Sequence, residues 1–299
     1  MKKLIYIYIV AFVALLFNSC DEDMGALVKS KTPTVNERYK QYMKYNLEHG
    51  YTTIQVHDDE YTVYVCTDPH VATVNEKLQT FIQTYRNDKT CPVAVCLGDL
   101  IEANHSYYWF KEAFNHVKTL PSKPDTMFVT IGNHDVFFNQ WENYLEYWPT
   151  AMYYFVVETN GKNKAKDLYI CLDNAQGTFG ELQIKWLKHL LAEHEQYRHI
   201  IVYAHVNIFR RDNTSADIAT VSLEETYELM SLFSQNGVEQ FWSGHDHARE
   251  EFTHGGVKYI IVDSMEQENY NSFYMILHVG DKLNNTFHHI ETDSARLNE

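Results

Sequence analysis

The chain has 299 residues, of which 45% are hydrophobic, so it is long enough to bury one sizeable core. Its formal net charge of -15 argues against nucleic acid as a partner, because proteins that bind nucleic acid usually present a basic face. An acidic balance is instead compatible with cation binding.

The N-terminus predicts export of the protein. Lys2 and Lys3 precede an uncharged apolar run from Leu4 to Phe17, which is shorter than the ~20 residues of a membrane span and typical of a secretory signal. Cys20 stands where cleavage is expected, and the arrangement resembles a bacterial lipoprotein signal over residues 1–19, with lipid on Cys20. We therefore expect a protein anchored by lipid in the bacterial cell envelope, periplasmic or at the cell surface. An ordinary signal peptide or a short membrane anchor is the alternative.

Residues 20–50 are predicted to be a tether and N-terminal segment, because the chain is polar and charged to about Thr34. Residues 51–299 then form one large domain. The later cysteines form no C-x-x-C pair, which argues against a zinc ribbon or a thioredoxin-type motif. They are Cys66, Cys91, Cys96 and Cys171.

Short β-branched runs alternate with longer amphipathic runs from residue 51 onward, which predicts an α/β domain. The first two strands, at 51–57 and 61–67, are predicted to form a hairpin. Helices are predicted near residues 72–87, 106–118, 180–196 and 223–235. Further strands are predicted at 91–97, 126–131, 152–158, 168–173 and 199–204, and another ends at Trp242. The tail is predicted to be a β-meander with a turn at Gly255-Gly256.

Polar residues follow five of these strands at the point where each ends. They are Asp68-Pro69-His70, Gly98-Asp99, Gly132-Asn133-His134-Asp135, His205 and Gly244-His245-Asp246-His247. Each motif alone is compatible with a turn or a helix cap, and His245 and His247 alone suggest chelation of a single ion. Five such motifs favour a metal cluster, because burying so many carboxylates and imidazoles without a cation is costly.

In this order the motifs resemble the signature of the calcineurin-like metallophosphoesterases, over roughly residues 62–265. The resemblance implies a sandwich of two mixed β-sheets flanked by helices, with two transition-metal ions as cofactors. Nitrogen and oxygen ligands without a thiolate fit Mn, Fe or Zn. By resemblance, one ion is held by Asp68, His70 and His247 and the other by Asn133, His205 and His245, with Asp99 bridging the two.

The same resemblance implies hydrolysis of a small phosphoester, of the phosphodiester or nucleotide type, by a hydroxide that the two metals share. His134 is not among the implied ligands and is expected to protonate the leaving oxygen as general acid. Glu102 stands where the family often has an aspartate that orients this histidine. Asp135 either belongs to the site or caps the next helix.

Candidates for contact with the substrate lie outside these motifs. The family's common arginine after the G-D motif is replaced here by Ala103. Arg210 and Arg211 are candidates for bidentate phosphate binding, with a solvated surface loop as the alternative. His105 either lines the cleft or lies on the surface.

Two other functions remain open at this point. One is a phosphomonoesterase that uses the same site. The other is a membrane-tethered binding module on a degenerate enzyme fold, although the complete set of implied ligands argues against a decayed site.

Overall fold

Helices and strands alternate along most of the chain. The computed structural model describes residues 32–115, 127–137, 139–208, 221–267 and 272–290. The helices are α1 Val35–His49, α2 Glu76–Asn87, α3 Tyr108–Asn115, α4 Asn133–Val136, α5 Gln140–Tyr147, α6 Glu181–Leu191 and α7 Leu223–Gln235. The strands are β1 Thr52–Val56, β2 Tyr61–Cys66, β3 Val93–Cys96, β4 Met127–Val129, β5 Tyr153–Thr159, β6 Lys166–Cys171, β7 His199–Tyr203, β8 Gln240–Ser243, β9 Glu250–His254, β10 Val257–Ile261, β11 Phe273–Val279 and β12 Leu283–His289.

The strands form two mixed sheets. One has the order β1-β5-β6-β7-β8-β10-β9, and the other has the order β12-β11-β2-β3-β4. The two sheets share an apolar cluster in which Phe128 of one stacks on Phe155 of the other, with ring centroids 4.1 Å apart. This arrangement confirms the predicted α/β sandwich of two mixed sheets flanked by helices.

Strand β2 illustrates how the sequence builds the layers. Alternate side chains of a strand point to opposite faces, so Val63 and Val65 enter the cluster between the sheets. Tyr64 and Cys66 face the other way, into the cluster that contains the apolar face of α2, where Tyr64 contacts Phe81. Because β2 is buried on both faces, its sequence is a nearly continuous apolar run.

The predicted hairpin of the first two strands is wrong. Strand β1 pairs with β5 at the edge of the seven-stranded sheet, whereas β2 lies between β3 and β11 in the other sheet. The residues between them cross from one sheet to the other. Asp59 accepts hydrogen bonds there from the backbone N–H groups of Lys162 and Asn163, at 2.8 and 3.1 Å. The connecting segment therefore binds the β5–β6 turn.

The tail is also not a single meander. The predicted turn at Gly255-Gly256 does join β9 and β10 as an antiparallel pair. However, β10 also pairs in parallel with β8, while β11 and β12 form an antiparallel pair in the other sheet. The chain thus changes sheet after β10, and the end of β10 lies beside the end of β8.

Helix α1 was not predicted from the sequence. It begins with a capping box, in which the Thr34 hydroxyl accepts from the backbone N–H of Glu37 and the Glu37 carboxylate accepts from that of Thr34. Its buried face is partly polar and includes Arg38 and Asn46. Polar residues at buried positions hide an amphipathic pattern, which explains why the sequence gives little sign of a helix in this N-terminal segment.

Asp173, two residues after the end of β6, fixes this helix to the domain. The Arg38 guanidinium donates to both oxygens of the Asp173 carboxylate, at 2.7 and 2.8 Å, and Tyr42 donates to it at 2.8 Å. Both ion-pair partners have fully buried side chains.

We expect Arg38→Ala to lower the free energy of unfolding by about 3–5 kcal/mol, because it leaves a buried carboxylate without its cation. Chemical denaturation measures this change. The matched control is Lys188→Ala, which breaks the half-exposed ion pair with Glu228 and should cost less than about 1 kcal/mol. Equal losses in the two variants would contradict the role given to Arg38.

The predicted signal peptide, Cys20 and most of the predicted tether lie outside the described residues, so the domain boundaries stay predictions. Among the helices that the structure describes, none is long and apolar enough to cross a membrane. Four cysteines lie within the described residues, and all of them are buried free thiols: Cys66, Cys91, Cys96 and Cys171.

Candidate metal centre

The five sequence motifs meet at the carboxyl ends of two sets of parallel strands. Strands β2, β3 and β4 are parallel neighbours in one sheet, and β7, β8 and β10 are parallel neighbours in the other. Loops that leave neighbouring parallel strands emerge at the same end of the sheet. The site is therefore built from both sheets.

The backbone at the site is strained. Five residues of the motifs have a positive φ, between 41° and 67°, a region that residues other than glycine rarely adopt. Such conformations persist only where the surrounding structure holds them, and they gather at functional sites. The five residues are Asp68, His70, Asp99, His245 and His247.

Glycines allow the strained loops to approach each other closely. A Cβ added at Gly132 would collide with the carboxylate and backbone nitrogen of Asp99. A Cβ added at Gly244 would collide with the side chains of Thr67 and Asp68. Both glycines precede motif residues, so the sequence places the smallest residue where two loops touch.

Each of two buried aspartates binds a neighbouring loop with one oxygen and faces the imidazoles with the other. Asp68 Oδ2 accepts from the backbone N–H of His245 at 2.9 Å. Asp99 Oδ1 accepts from the backbone N–H of His134 at 2.8 Å. The second oxygens, Asp68 Oδ1 and Asp99 Oδ2, lie near ring nitrogens of the cluster, His70 Nε2 among them.

The first group of possible ligands consists of Asp68, His70 and His247. Asp68 Oδ1 lies 3.7 Å from His70 Nε2 and 3.5 Å from His247 Nε2. The rings of His70 and His247 have centroids 5.2 Å apart. Three donor atoms from two different loops thus converge on one point.

The second group consists of Asp99, His205 and His245. His205 Nε2 lies 3.3 Å from Asp99 Oδ2 and 3.0 Å from Asn133 Oδ1. The Leu97 carbonyl can only accept a hydrogen bond, so it requires a proton on His205 Nδ1, 2.8 Å away, and directs Nε2 into the cluster.

Asp99 lies between the two groups, since its Oδ2 is also 3.6 Å from His70 Nε2. The structure therefore brings together all seven side chains that the resemblance assigned to metal binding, in two groups on either side of Asp99.

The polar atoms at the centre indicate that a cation fits. Asp68 Oδ1 and His70 Nε2 are buried, and neither makes a hydrogen bond within the described residues. A buried carboxylate oxygen without a hydrogen bond is costly unless a cation compensates it. The donor set of carboxylate, imidazole and amide groups suits a transition metal such as Mn, Fe or Zn.

The charges of the cluster support the same conclusion. Although burial alone would raise it, the pKa of Asp68 is held well below its usual range by His205, His247 and His70. Burial opposes protonation of the histidines, yet Asp68 and Asp99 raise the pKa of His70 to about 9, and that of His205 to about 10. The carboxylates thus attract positive charge strongly enough to overcome burial.

His134 and Glu102 lie at the open side of the cluster. The Glu102 carboxylate has one oxygen 3.5 Å from His134 Nδ1 and the other 3.2 Å from His70 Nδ1. Glu102 is therefore within reach of the histidine that it was predicted to orient. A cavity of about 490 Å³ opens over the site. Its lining residues are His70, Asp99, Glu102, Asn133, His134, His245, Asp246, His247 and Glu266.

Asp135 does not line this cavity. It is fully buried and accepts hydrogen bonds from Tyr107 Oη, from the N–H of Leu100 and from that of Gly132, the residue before α4. Burial and the nearby charge of Asp99 raise the pKa of Asp135 to about 7. Asp135 is the third residue of α4, so it is not the predicted N-cap of the next helix, where Asn139 stands. Its hydrogen bonds with Gly132 and Leu100 instead tie together the two loops that carry Asn133 and Asp99.

Glu266 is a residue of the site that was missed in the sequence. Its carboxylate lies 3.6 Å from His247 Nδ1 and 3.9 Å from His70 Nε2. Glu266 follows β10, which is parallel to β8. An acidic residue after a sixth strand end was therefore the feature of the sequence that could have revealed it. The expected meander concealed it, because a meander would place β9 between β8 and β10, whereas β10 itself lies next to β8.

The predicted substrate contacts find no support among the described residues. His105 is exposed, does not line the cavity and contributes its backbone to hydrogen bonds with Glu102 and Gln140. This agrees with the surface alternative. Arg210 and Arg211 lie outside the described residues, so their predicted role stays a prediction.

Comparison with known proteins agrees with this fold and site. A family model for calcineurin-like phosphoesterases matches residues 61–249. The fold is similar to that of GAP50, the anchor in the inner membrane complex of Plasmodium, with 15% identity, a TM-score of 0.59, and coverage of 77% of this chain and 84% of that chain. No curated protein matches the chain.

A purple acid phosphatase, PPD1 from yellow lupin (Lupinus luteus) seeds, is similar over 78% of this chain and 52% of its own, with 12% identity and a TM-score of 0.59. PhoD is similar over 78% of this chain and 69% of its own, with 10% identity and a TM-score of 0.53. The chain thus spans about half the length of the lupin phosphatase, and these likenesses show the fold alone.

The fold and the site together define a metallophosphoesterase. Since the family model covers more than half of the chain, the chain belongs to the calcineurin-like phosphoesterases. The family acts on small phosphoesters and typically binds divalent metals.

Proposed function

We propose that the protein is a dinuclear-metal-dependent phosphoesterase that hydrolyses a phosphodiester or nucleotide-type substrate. The observation that carries this proposal is the pair of ligand groups on either side of Asp99, at the mouth of an open cavity. A site of this composition in this family supports phosphoester hydrolysis better than ligand binding alone.

Seven side chains would hold the metals. Asp68, His70 and His247 would bind one ion, and Asn133, His205 and His245 the other, with the Asp99 carboxylate shared between them. When bound, such ions supply Lewis acidity that activates water and neutralises the phosphoryl oxygens. The chain's own task is then to fix these ligands, which the strained loops and the buried hydrogen bonds of Asp68 and Asp99 accomplish.

His134 is the proposed general acid. It lines the cavity with 26% of its side chain exposed, so a substrate can reach its ring. Its backbone N–H is held by Asp99, and Glu102 lies beside its Nδ1. With Nδ1 directed to Glu102, its Nε2 is left to give a proton to the leaving oxygen.

The rim of the cavity favours a diester over a monoester. Three carboxylates, those of Glu102, Asp246 and Glu266, are among the lining residues, and none of the described lining residues is a lysine or arginine. A diester phosphate carries one negative charge, whereas a monoester carries up to two near neutral pH. The additional charge is repelled by an acidic rim.

A substrate panel tests the proposal. The full-length protein, purified and loaded in turn with Mn, Zn and Fe, is assayed against phosphomonoesters, phosphodiesters and nucleotides. We expect metal-dependent hydrolysis with kcat/KM highest for a diester or nucleotide. Preference for simple monoesters would favour the alternative of a phosphomonoesterase. Metal binding without hydrolysis of any compound would favour the non-catalytic binding module.

We also propose that lipid on Cys20 anchors the protein in the bacterial cell envelope, as the N-terminal sequence indicates. In the native host, Cys20→Ala should move the protein from the membrane fraction to the soluble fraction. Fractionation followed by immunoblotting measures the distribution. A buried cysteine variant such as Cys91→Ala serves as the control. Membrane association that persists in Cys20→Ala would contradict lipid anchoring.

A further inference from the structure

The segment after β10 is fastened to the loop that carries Asp68 and His70. The backbone N–H of Met265 donates to the Thr67 carbonyl at 3.0 Å. Asn75, which is 3% exposed, donates from its amide to the carbonyls of both Pro69 and Met265, at 2.9 and 3.0 Å. The two loops are therefore joined by a buried side chain as well as by the backbone.

A buried lysine fixes the backbone of the next residue, Glu266. Lys77 Nζ donates to the Glu266 carbonyl at 2.7 Å and to Ser272 Oγ at 2.8 Å. Lys77 is 4% exposed, so its ammonium lies inside the protein and binds the main chain of Glu266 from the buried side. The position of Glu266 at the rim is thus set by two buried polar residues, Asn75 and Lys77.

The Glu266 side chain faces the ring of His247. Glu266 Oε2 lies 3.6 Å from His247 Nδ1, and Asp68 Oδ1 lies 3.5 Å from His247 Nε2. His247 is 35% exposed, whereas His205 is fully buried and directed by the Leu97 carbonyl. The more exposed histidine thus has a carboxylate near its Nδ1, where the buried one has a main-chain carbonyl.

We propose that Glu266 is a positioning residue, which holds His247 with Nδ1–H towards its own carboxylate and with Nε2 towards Asp68. This inference rests on the proposed function, because it concerns a histidine that would bind metal. A carboxylate behind a metal-binding histidine fixes the tautomer and the orientation of the ring. Neither the family resemblance nor the five sequence motifs assigned a role to this position.

Metal binding tests the proposal without any assay of activity. Zinc affinity of the full-length protein is measured by competition with a chelator for wild type, Glu266→Ala and Glu266→Gln. We expect Glu266→Ala to weaken one zinc site 10- to 100-fold, as losses of such carboxylates typically do. The other site should keep its affinity. Glu266→Gln should lose less, because the amide oxygen still accepts from Nδ1–H.

The matched controls are Glu239→Ala and Glu239→Gln. Glu239 also pairs with a histidine, His199, at 2.6 Å, but this histidine belongs to none of the possible metal groups. These variants should bind zinc as wild type does. Nitrogen-15 NMR of the zinc-loaded protein provides a second measurement, in which the His247 Nδ1–H signal should shift in Glu266→Gln and stay unchanged in Glu239→Gln.

The outcomes separate this inference from the proposed function. If wild type binds two zinc ions and Glu266→Ala binds both with unchanged affinity, Glu266 is not a positioning residue and the proposed function stands. If wild type binds no zinc, manganese or iron, both proposals are wrong. Equal weakening of the two sites, with a lower melting temperature of the metal-free Glu266→Ala variant, would indicate a structural role and overturn the inference.

Discussion

Asp99→Asn should weaken metal binding at both positions by more than 100-fold and remove hydrolysis with it. Loss of an outer-shell partner alone typically costs 10- to 100-fold in metal affinity, and Asp99 is proposed to bind both ions directly. Metal content after dialysis, together with kcat for the preferred substrate, measures the two effects.

The geometry explains why an isosteric change is so damaging. Asp99 Oδ1 accepts from the backbone N–H of His134, so an asparagine must place its own oxygen there. Its amide nitrogen then takes the place of Oδ2, near His205 Nε2 and His70 Nε2. An NH₂ group presents hydrogens where a cation requires a lone pair.

Asp246→Asn is the matched control for this variant. Asp246 lines the same cavity and stands between two proposed ligands, but it belongs to none of the possible metal groups. We expect it to keep both metals. An Asp99→Asn protein that also kept both ions would contradict the shared role of Asp99, and equal loss in the two variants would indicate a general effect of charge.

Much of the site could be predicted because its residues follow strand ends. Parallel strands release their loops at one end of a sheet, so Asp68, Asp99 and Asn133 had to lie close together once β2, β3 and β4 were parallel neighbours. The order of the motifs then supplied the partners from the other sheet, His205 and His245. The strand ends thus predicted a cluster of polar groups, whereas the assignment of particular metal ligands came from the resemblance to the family signature.

Pairing between strands could not be predicted in the same way. The runs that became β1 and β2 are both rich in β-branched and aromatic residues and are separated by a turn signal, which is the pattern of a hairpin. The two strands differ in burial and join different sheets: β1 is half-exposed at the edge of one sheet, and β2 is buried on both faces inside the other. Burial on both faces depends on the rest of the chain.

Helix α1 and Glu266 were missed for related reasons. The capping box from Thr34 to Glu37 was visible in the sequence, but the charged Arg38 occupies a buried position and so obscures the apolar face that would predict a helix. Its partner Asp173 lies 135 residues away, so no local pattern reveals the pair. Glu266 likewise becomes significant only when β10 is placed in parallel beside β8.

His134→Gln should lower kcat by about 100- to 10,000-fold for esters with a poor leaving group, because such alcohols must be protonated as they depart. It should leave metal binding unchanged, since only the backbone N–H of His134 contacts Asp99 by a hydrogen bond and the substitution preserves it. Steady-state kinetics and metal analysis of the same preparation measure both properties.

The choice of substrate makes this prediction specific to acid catalysis. A p-nitrophenyl ester releases a stabilised anion that needs no proton, so the loss in His134→Gln should be much smaller with it than with an alkyl ester. His105→Gln is the control, because this exposed histidine does not line the cavity and its loss should change neither reaction. If His134→Gln instead lost a metal ion, His134 would act as a ligand, as its grouping with His70 and Asp99 allows. Equal losses with both leaving groups and both metals retained would assign His134 to substrate binding, because only a proton donor distinguishes the two esters.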